Sequence, residues 1–260
     1  MTDLKNTQQP KKFMILLIGD NCIDEYKIGS VDRLSPEAPV PVVKIIKEYK
    51  APGMATNVHI NLMRLNCEMI FLSHKEQIIK TRFIDERSGQ HLLRVDEEPK
   101  LTPWPGEFPF TLEHFDAIVI SDYNKGFLTY ENIEKIRKEF NGPIFLDTKK
   151  SDLSRFNGIF VKINELEYKS RTSTNDTLIV TLGSRGAMLK QNDNEKMFPG
   201  RPSDVVDVCG CGDTFLAALT YQYLMTKSLD DAIIFANKAA SITVKHSGNY
   251  APFLEEITNA

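Results

Sequence analysis

Five short stretches of this chain are apolar almost without a break, and each stops at a polar residue or a glycine. They are residues 13–18 (FMILLI), 116–123 (DAIVISDY), 143–148 (PIFLDT), 158–164 (GIFVKIN) and 177–183 (TLIVTLG). Runs of this length without alternation read as strands buried on both faces, the condition of a parallel sheet covered by helices on each side. Helical stretches such as YENIEKIRKEF (130–140) lie between several of them. The alternation predicts an α/β fold with a doubly wound, mostly parallel sheet. Ligands of such sheets gather at the carboxyl ends of the strands. Asp20, Asp122, Asp147, Asn164 and Thr181 stand at or near those ends and are the first candidates for a binding site.

Bulk properties narrow the setting. With 42% hydrophobic and 26% charged residues, 260 residues suffice to bury a core without disulfides or metal. A net charge of −3 gives no general drive toward nucleic acid or an anionic membrane, so an anionic ligand needs a local site. The four cysteines show no zinc spacing and fit reduced thiols of a cytoplasmic protein. The first ten residues, MTDLKNTQQP, lack the apolar core of a secretory signal, and FMILLI is too short to span a bilayer. None of the five histidines shows metal-ligand spacing.

Two segments break the strand–helix rhythm. Residues 38–46 (APVPVVKII) and 81–96 (TRFIDERSGQHLLRVD) read as extended strands, the second folded back at Ser88-Gly89. The stretch 97–112, with four prolines, reads as an ordered connection or a hinge.

The nine residues DVCGCGDTF (207–215) run into a helical apolar pattern, Phe215, Leu216, Leu219 and Tyr223, starting from Thr214. The amides of Gly210, Cys211 and Gly212 would then stand at a helix N-terminus, where unpaired N–H groups and the macrodipole favour an anion. Asp213, in the first turn, would face whatever they hold. An amide-lined anion site beside a carboxylate suits phosphoryl transfer to an alcohol, the carboxylate accepting the hydroxyl proton. The same residues fit a plain turn and helix cap equally well. No G-x-x-x-x-G-K-S/T occurs, which excludes a P-loop.

DVCGCGDTF resembles the D-T/S-x-G-A/G-G-D segment of the PfkB/ribokinase family of sugar kinases. GDNCID (19–24), APGMATNVHINLMRL (51–65), KINELE (162–167) and VTLGSRGAML (180–189) resemble that family's other motifs. VDRLSPEAPVPVVK (31–44), SDYNKGFL (121–128), DTKK (147–150) and FANKAAS (235–241) look like the kinase half of the heptose-phosphate kinase/ADP-heptose synthase proteins. The resemblance covers nearly the whole chain.

It implies one ribokinase-like kinase domain over 1–260, with a small β-sheet lid from about 25–46 and 81–96. By resemblance, Asp213 is the catalytic base, and the Gly210, Cys211 and Gly212 amides form the anion hole. Asn164 and Glu167 organise Mg2+, through water, and the phosphates of ATP. Thr181, Gly183, Ser184 and Gly186 line the nucleotide, and Asn237 borders the adenine. Asp20, Asp24, Gly53 and Asn57 bind sugar hydroxyls, with Asp122 beside them. Arg33, Arg82, Lys125 and Lys149 are candidates to meet the sugar phosphate or the nucleotide phosphates. Taken without the resemblance, Asp24 and Arg33 are surface charges, Lys149-Lys150 a solvated loop, and Asn237 a residue that caps or packs a helix.

The implied reaction is ATP-dependent phosphorylation of a sugar phosphate, D-glycero-D-manno-heptose 7-phosphate at its anomeric hydroxyl, giving the 1,7-bisphosphate. A kinase for another sugar or nucleoside, and a non-catalytic sugar- or nucleotide-binding descendant, are the alternatives. A homodimer formed through the lid is expected, with no nucleic-acid or membrane partner. The chain departs from the pattern at four points. Cys209 and Cys211 replace Thr/Ser and Ala/Gly, and Met54 replaces the second glycine of the Gly-Gly pair. About one βα unit is missing after residue 72. H-x-G-H, the nucleotidyltransferase motif, is absent.

Overall fold

The computed structural model describes residues 12–192, 194–201 and 203–260, so the polar N-terminal decapeptide lies outside the described residues. All five apolar runs are strands of one sheet: β1 (Met14–Gly19), β7 (Ala117–Asp122), β8 (Ile144–Thr148), β9 (Phe160–Asn164) and β10 (Thr177–Thr181). That sheet is eight-stranded, in the order β12-β11-β10-β9-β8-β7-β1-β4. β4 (Glu68–Leu72) forms one edge; β11 (Ala187–Gln191) and β12 (Asn194–Phe198) form the other. Strands β4 to β10 pair in parallel, and only β11 and β12 are antiparallel.

The runs lack alternation because each face of the sheet has its own core. Leu17, Val119, Phe145 and Ile179 pack under α4 (Cys211–Thr226) and α5 (Leu229–Thr243), with α1 (Ala55–Arg64) and α6 (Leu254–Asn259) beside them. Leu16, Ile18, Ile120, Leu146 and Val180 face the opposite core with Trp104 and α2 (Tyr130–Glu139). Burying each such side chain contributes roughly 1.5–3 kcal/mol, so both helical layers are needed. A capping box between Thr129 and Asn132 starts α2. Beyond Glu97, the last residue of a strand, the segment 97–112 carries no further strand and only the start of a 3₁₀ turn before β7, yet it buries Leu101 and Trp104, so it is an ordered connection.

The irregular segments form a second sheet, β3-β2-β5-β6. Its strands are β2 (Asn21–Leu34), β3 (Pro41–Met54), β5 (Ile79–Asp85) and β6 (His91–Glu97), longer than the spans the sequence suggested. The β5–β6 hairpin turns at Ser88-Gly89, where Gly89 has φ 70. One face buries Cys22, Asp24 and Tyr26 against the main domain. By register, Ile45, Leu93 and Val95 lie on the other face and are exposed.

β4 is the last strand at its edge, and the chain passes from it directly to β5. The shortcut is stitched down. The Ser73 hydroxyl donates to the Gly19 carbonyl at 2.6 Å, and the Asn21 amide donates to Nε2 of buried His74 at 3.1 Å.

Candidate active site

Period-two geometry selects which strand-end side chains meet. On β8 and β9, Asp147 and Lys162 each follow an apolar residue of the α4-side core by two positions, so both emerge on that side. They are cross-strand partners. Thr181 stands in the same relation to Ile179 on β10. The N-terminus of α4 sits over this row. The helix begins at Cys211, with Gly210 turning the chain at φ 74, so residues 210–212 stand at its N-terminus and Asp213 lies in the first turn, as the sequence predicts. A side chain at 210 would also stand 2.7 Å from Asn57 Nδ2.

Two adjoining clefts result. One, of about 420 Å³, is lined by Tyr123, Asp147, Lys149, Lys162, Asn164 and Asp213 among others. The second, of about 460 Å³, is lined by Thr181, Gly183, Ser184, Gly186, Cys211 and Asn237 among others. Thr181, Gly183, Val208 and Gly212 line both, so the clefts meet at the first turn of α4. The Gly212 and Asp213 amides have no acceptor within the helix at this point.

Asp213 is buried in the first cleft, next to Gly212, which lines both. Asn57 Nδ2 donates to Oδ2 at 2.8 Å and the Tyr123 hydroxyl donates to Oδ1 at 3.0 Å. Burial pushes the Asp213 carboxyl up to about 6, while Asn57, Lys162 and Tyr123 oppose the rise and Asp147 adds to it. Such a carboxylate is ionised at neutral pH yet basic enough to take a proton. The same burial, with Asp213 beside it, raises the Tyr123 phenol well above its usual range. Asn57 is itself buried, and its carbonyl accepts from Asn61 at 2.9 Å.

A further group of polar side chains lies where the small sheet meets the main domain. Asp20 is fully buried; its Oδ2 accepts from the amides of Tyr123 at 2.8 Å and Lys125 at 3.3 Å, and its Oδ1 has no partner. Asp24 pairs with Arg82 at 2.5 Å and accepts from Asn249 at 3.2 Å. A Cβ on Gly53 would lie 2.5 Å from Asp24 Oδ2 and 2.6 Å from Cys22 Sγ, so glycine there makes room for the carboxylate. Arg82 also faces the Tyr26 ring, which stacks on Tyr49 with centroids 4.7 Å apart.

Other residues singled out from the sequence are tied elsewhere. Asp122 is buried with Lys150 at 3.2 Å and the Thr148 hydroxyl at 2.6 Å, a closed network behind the strand tips. Lys125 pairs with Glu98 at 2.6 Å, and Lys149 with Glu167. Asn164 and Glu167 form a reciprocal capping box at the start of α3 (Glu165–Ser170). Asn237 donates to the Phe198 carbonyl at 3.2 Å from the wall of the second cleft. Arg33 is exposed near the far end of β2, apart from both clefts. Met54 holds φ 52 and ψ −134, a conformation suited to glycine. Its side chain is buried in the core with Leu16, Ile18 and Ile78, and does not crowd the cleft.

Tyr123, Lys162 and Asn249 carry site contacts without having been assigned a role from the sequence. Lys162 stands in β9 two residues before Asn164, so strand periodicity alone places it on the same face. Asn249 reaches Asp24 across 225 positions, with no local signal to announce it.

Residues 157–256, which span β9 to α6, match the model of the pfkB family carbohydrate kinases. Over those residues, which include the glycine turn and the whole of α4, the chain is similar to the pfkB family of carbohydrate kinases. More particularly, it is 32% identical to the bifunctional protein HldE of Nitratiruptor sp., over 94% of this chain and 64% of that protein. The chain therefore spans less than two thirds of that relative's length. The alignment runs to 296 positions against 260 residues here, so the relative carries insertions that this chain lacks. Among solved structures, a ribokinase from Thermotoga maritima superposes with TM-score 0.73 at 18% identity, over 95% of this chain and 98% of that one. An Arabidopsis thaliana ribokinase complexed with ribose and ATP gives TM-score 0.73 at 14% identity, over 96% and 98%.

Proposed function

We propose that the chain transfers the γ-phosphoryl group of ATP to a sugar phosphate, a heptose 7-phosphate at its anomeric hydroxyl, forming the 1,7-bisphosphate. The observation that carries this reading is the placement of Asp213, a buried carboxylate of raised proton affinity, in the first cleft and next to Gly212, which lines both clefts at the first turn of α4. The second cleft takes the nucleotide, with Asn237 and the 183–186 turn on its walls. Asp20, Asp24, Asn57 and Arg82 hold the acceptor from the lid side. The resemblance of LSPEAPVPVV and the HldE relatives support the heptose assignment.

In this reading Asp213 takes the proton of the attacking hydroxyl, and Tyr123 and Asn57 keep its oxygens aimed. The α4 amides accept the charge that develops on the moving group. Mg2+ fits the donor set: Asn164 lines the first cleft with Glu167 bonded to it, and buried Asp147 Oδ1 has no partner. A magnesium ion keeps much of its water and needs only one or two carboxylates beside the phosphates, whose charge it neutralises. The lid excludes water, which competes with the sugar. The exposed apolar lid face, Ile45, Leu93 and Val95, supports a homodimer formed through it. Four unpaired cysteines suit a cytoplasmic protein.

ADP release, followed with heptose 7-phosphate, other sugar phosphates and free sugars, tests the reading. Heptose 7-phosphate is expected to give the highest kcat/KM. Turnover with another acceptor alone would leave a kinase of different specificity, a reading favoured by the shortened sheet edge. A light-scattering mass of one chain at micromolar concentration would exclude the dimer.

A further inference from the structure

We infer that Lys162 is a catalytic residue of this transfer, its ammonium contacting the phosphoryl group in flight opposite the α4 amides; this rests on the phosphoryl-transfer reading above. Lys162 is buried and lines the cleft that holds Asp213. Its Nζ donates to Asp147 Oδ2 at 2.7 Å, which uses one of three donors. The same Nζ lies 3.0 Å from where a Cβ at position 212 would stand. Glycine at 212 thus lets the ammonium come up against the first turn of the helix.

A Lys162–Asp147 pair that served only packing could be replaced by two apolar side chains at no loss, because a buried ion pair rarely repays its desolvation. The pair is also not closed on itself, since Asp147 Oδ1 is buried with no partner. Lys149, the other cation of this cleft, is engaged by Glu167. That leaves Lys162 as the cation facing the α4 turn. During transfer, the bond from the γ-phosphorus to the bridging oxygen of ADP breaks and the bond to the sugar oxygen forms. The hydroxyl proton passes to Asp213, and Lys162 stays protonated throughout. Its charge is worth most when the equatorial oxygens are most negative, so its effect falls on kcat.

The test uses Lys162→Met, Lys162→Arg and the double variant Lys162→Met/Asp147→Asn in the full chain. Two readouts are steady-state kinetics and the thermal shift given by ADP, magnesium and aluminium fluoride with the acceptor. For Lys162→Met, kcat is expected to fall about 10²–10³-fold with KM for ATP within about threefold. Lys162→Arg is expected to keep more of the rate. The added shift from aluminium fluoride is expected to vanish in Lys162→Met while the shift from ADP alone persists, which also shows that the variant is folded.

The inference is overturned if Lys162→Met keeps kcat within about fivefold of wild type. It is equally overturned if only KM changes, or if the double variant recovers the wild-type rate, since the lysine then merely neutralises Asp147. A wild-type chain that turns over no acceptor overturns the kinase reading itself. Lys162 is then judged on the fluoride arm alone, where an equal shift in wild type and Lys162→Met removes it.

Discussion

The Tyr123 hydroxyl donates to Oδ1 of Asp213 at 3.0 Å, joining the tip of β7 to the first turn of α4. The bond favours the ionised carboxylate and so opposes the rise that burial imposes. Tyr123→Phe removes this donor, and the Asp213 carboxyl should then titrate above its present value of about 6. The acid limb of the kcat/KM profile should move to higher pH, with a loss at pH 6.5 that narrows at pH 8.5. An unmoved limb would show that the phenol does not govern the base.

Asp213→Asn keeps the shape and removes the base. Turnover should fall about 10²–10⁴-fold while ATP binding, read by calorimetry, is retained. The fold should respond in the opposite sense. A carboxylate raised from 3.8 to about 6 contributes stability that is full below 3.8 and is lost as pH rises through 6. At pH 8 the ionised group costs on the order of 2–3 kcal/mol. The Asn variant should melt higher than wild type at pH 8, with the advantage disappearing by pH 4.

Gly53→Ala tests the lid-side cluster. The added methyl would meet Asp24 and Cys22 at 2.5 and 2.6 Å and push the carboxylate off Arg82 and Asn249. KM for the sugar should rise at least about tenfold, the cost of roughly 1.4 kcal/mol of lost binding, while KM for ATP stays put. Equal changes in both constants would argue against a role confined to the acceptor.

Met54→Gly sets two effects against each other. Relief of the φ 52 backbone returns about 1–3 kcal/mol. Deleting a buried methionine side chain costs about 2–5 kcal/mol, and glycine adds flexibility to the unfolded chain. Packing should win, so urea unfolding should show a net loss of about 1–2 kcal/mol. Because the side chain points into the core, KM for the sugar should not move.

The strands of the main sheet were legible because burial on both faces leaves a nearly unbroken apolar run that closes on polar residues, as at Thr148 and Asn164. The N-terminus of α4 was legible at 210–212, because the run of small residues ends where the helical apolar spacing begins. β2 was read short: its buried Cys22, Asp24 and Tyr26 alternate with charged residues, and only pairing with β3 and β5 defines its length. Asp213 and Asn57 were found through local pattern, and the structure joins them at 2.8 Å. Tyr123 sat in a quoted segment, but the direction of its phenol depends on where α4 lands. Asn249 depends on the chain's last turn folding back to Asp24.

Only Asp20 separates β1 from β2, so the lid has no linker of its own. Its root is β1, the strand next to the β4 edge of the main sheet, and the carboxylate at that joint is gripped by the Tyr123 and Lys125 amides. A tilt of the cover therefore levers about the fulcrum that also touches the segment carrying Tyr123. In the proposed kinase reading, capture of the acceptor and alignment of Asp213 then become one mechanical event, because Asp20 and Asp213 are both tied to Tyr123.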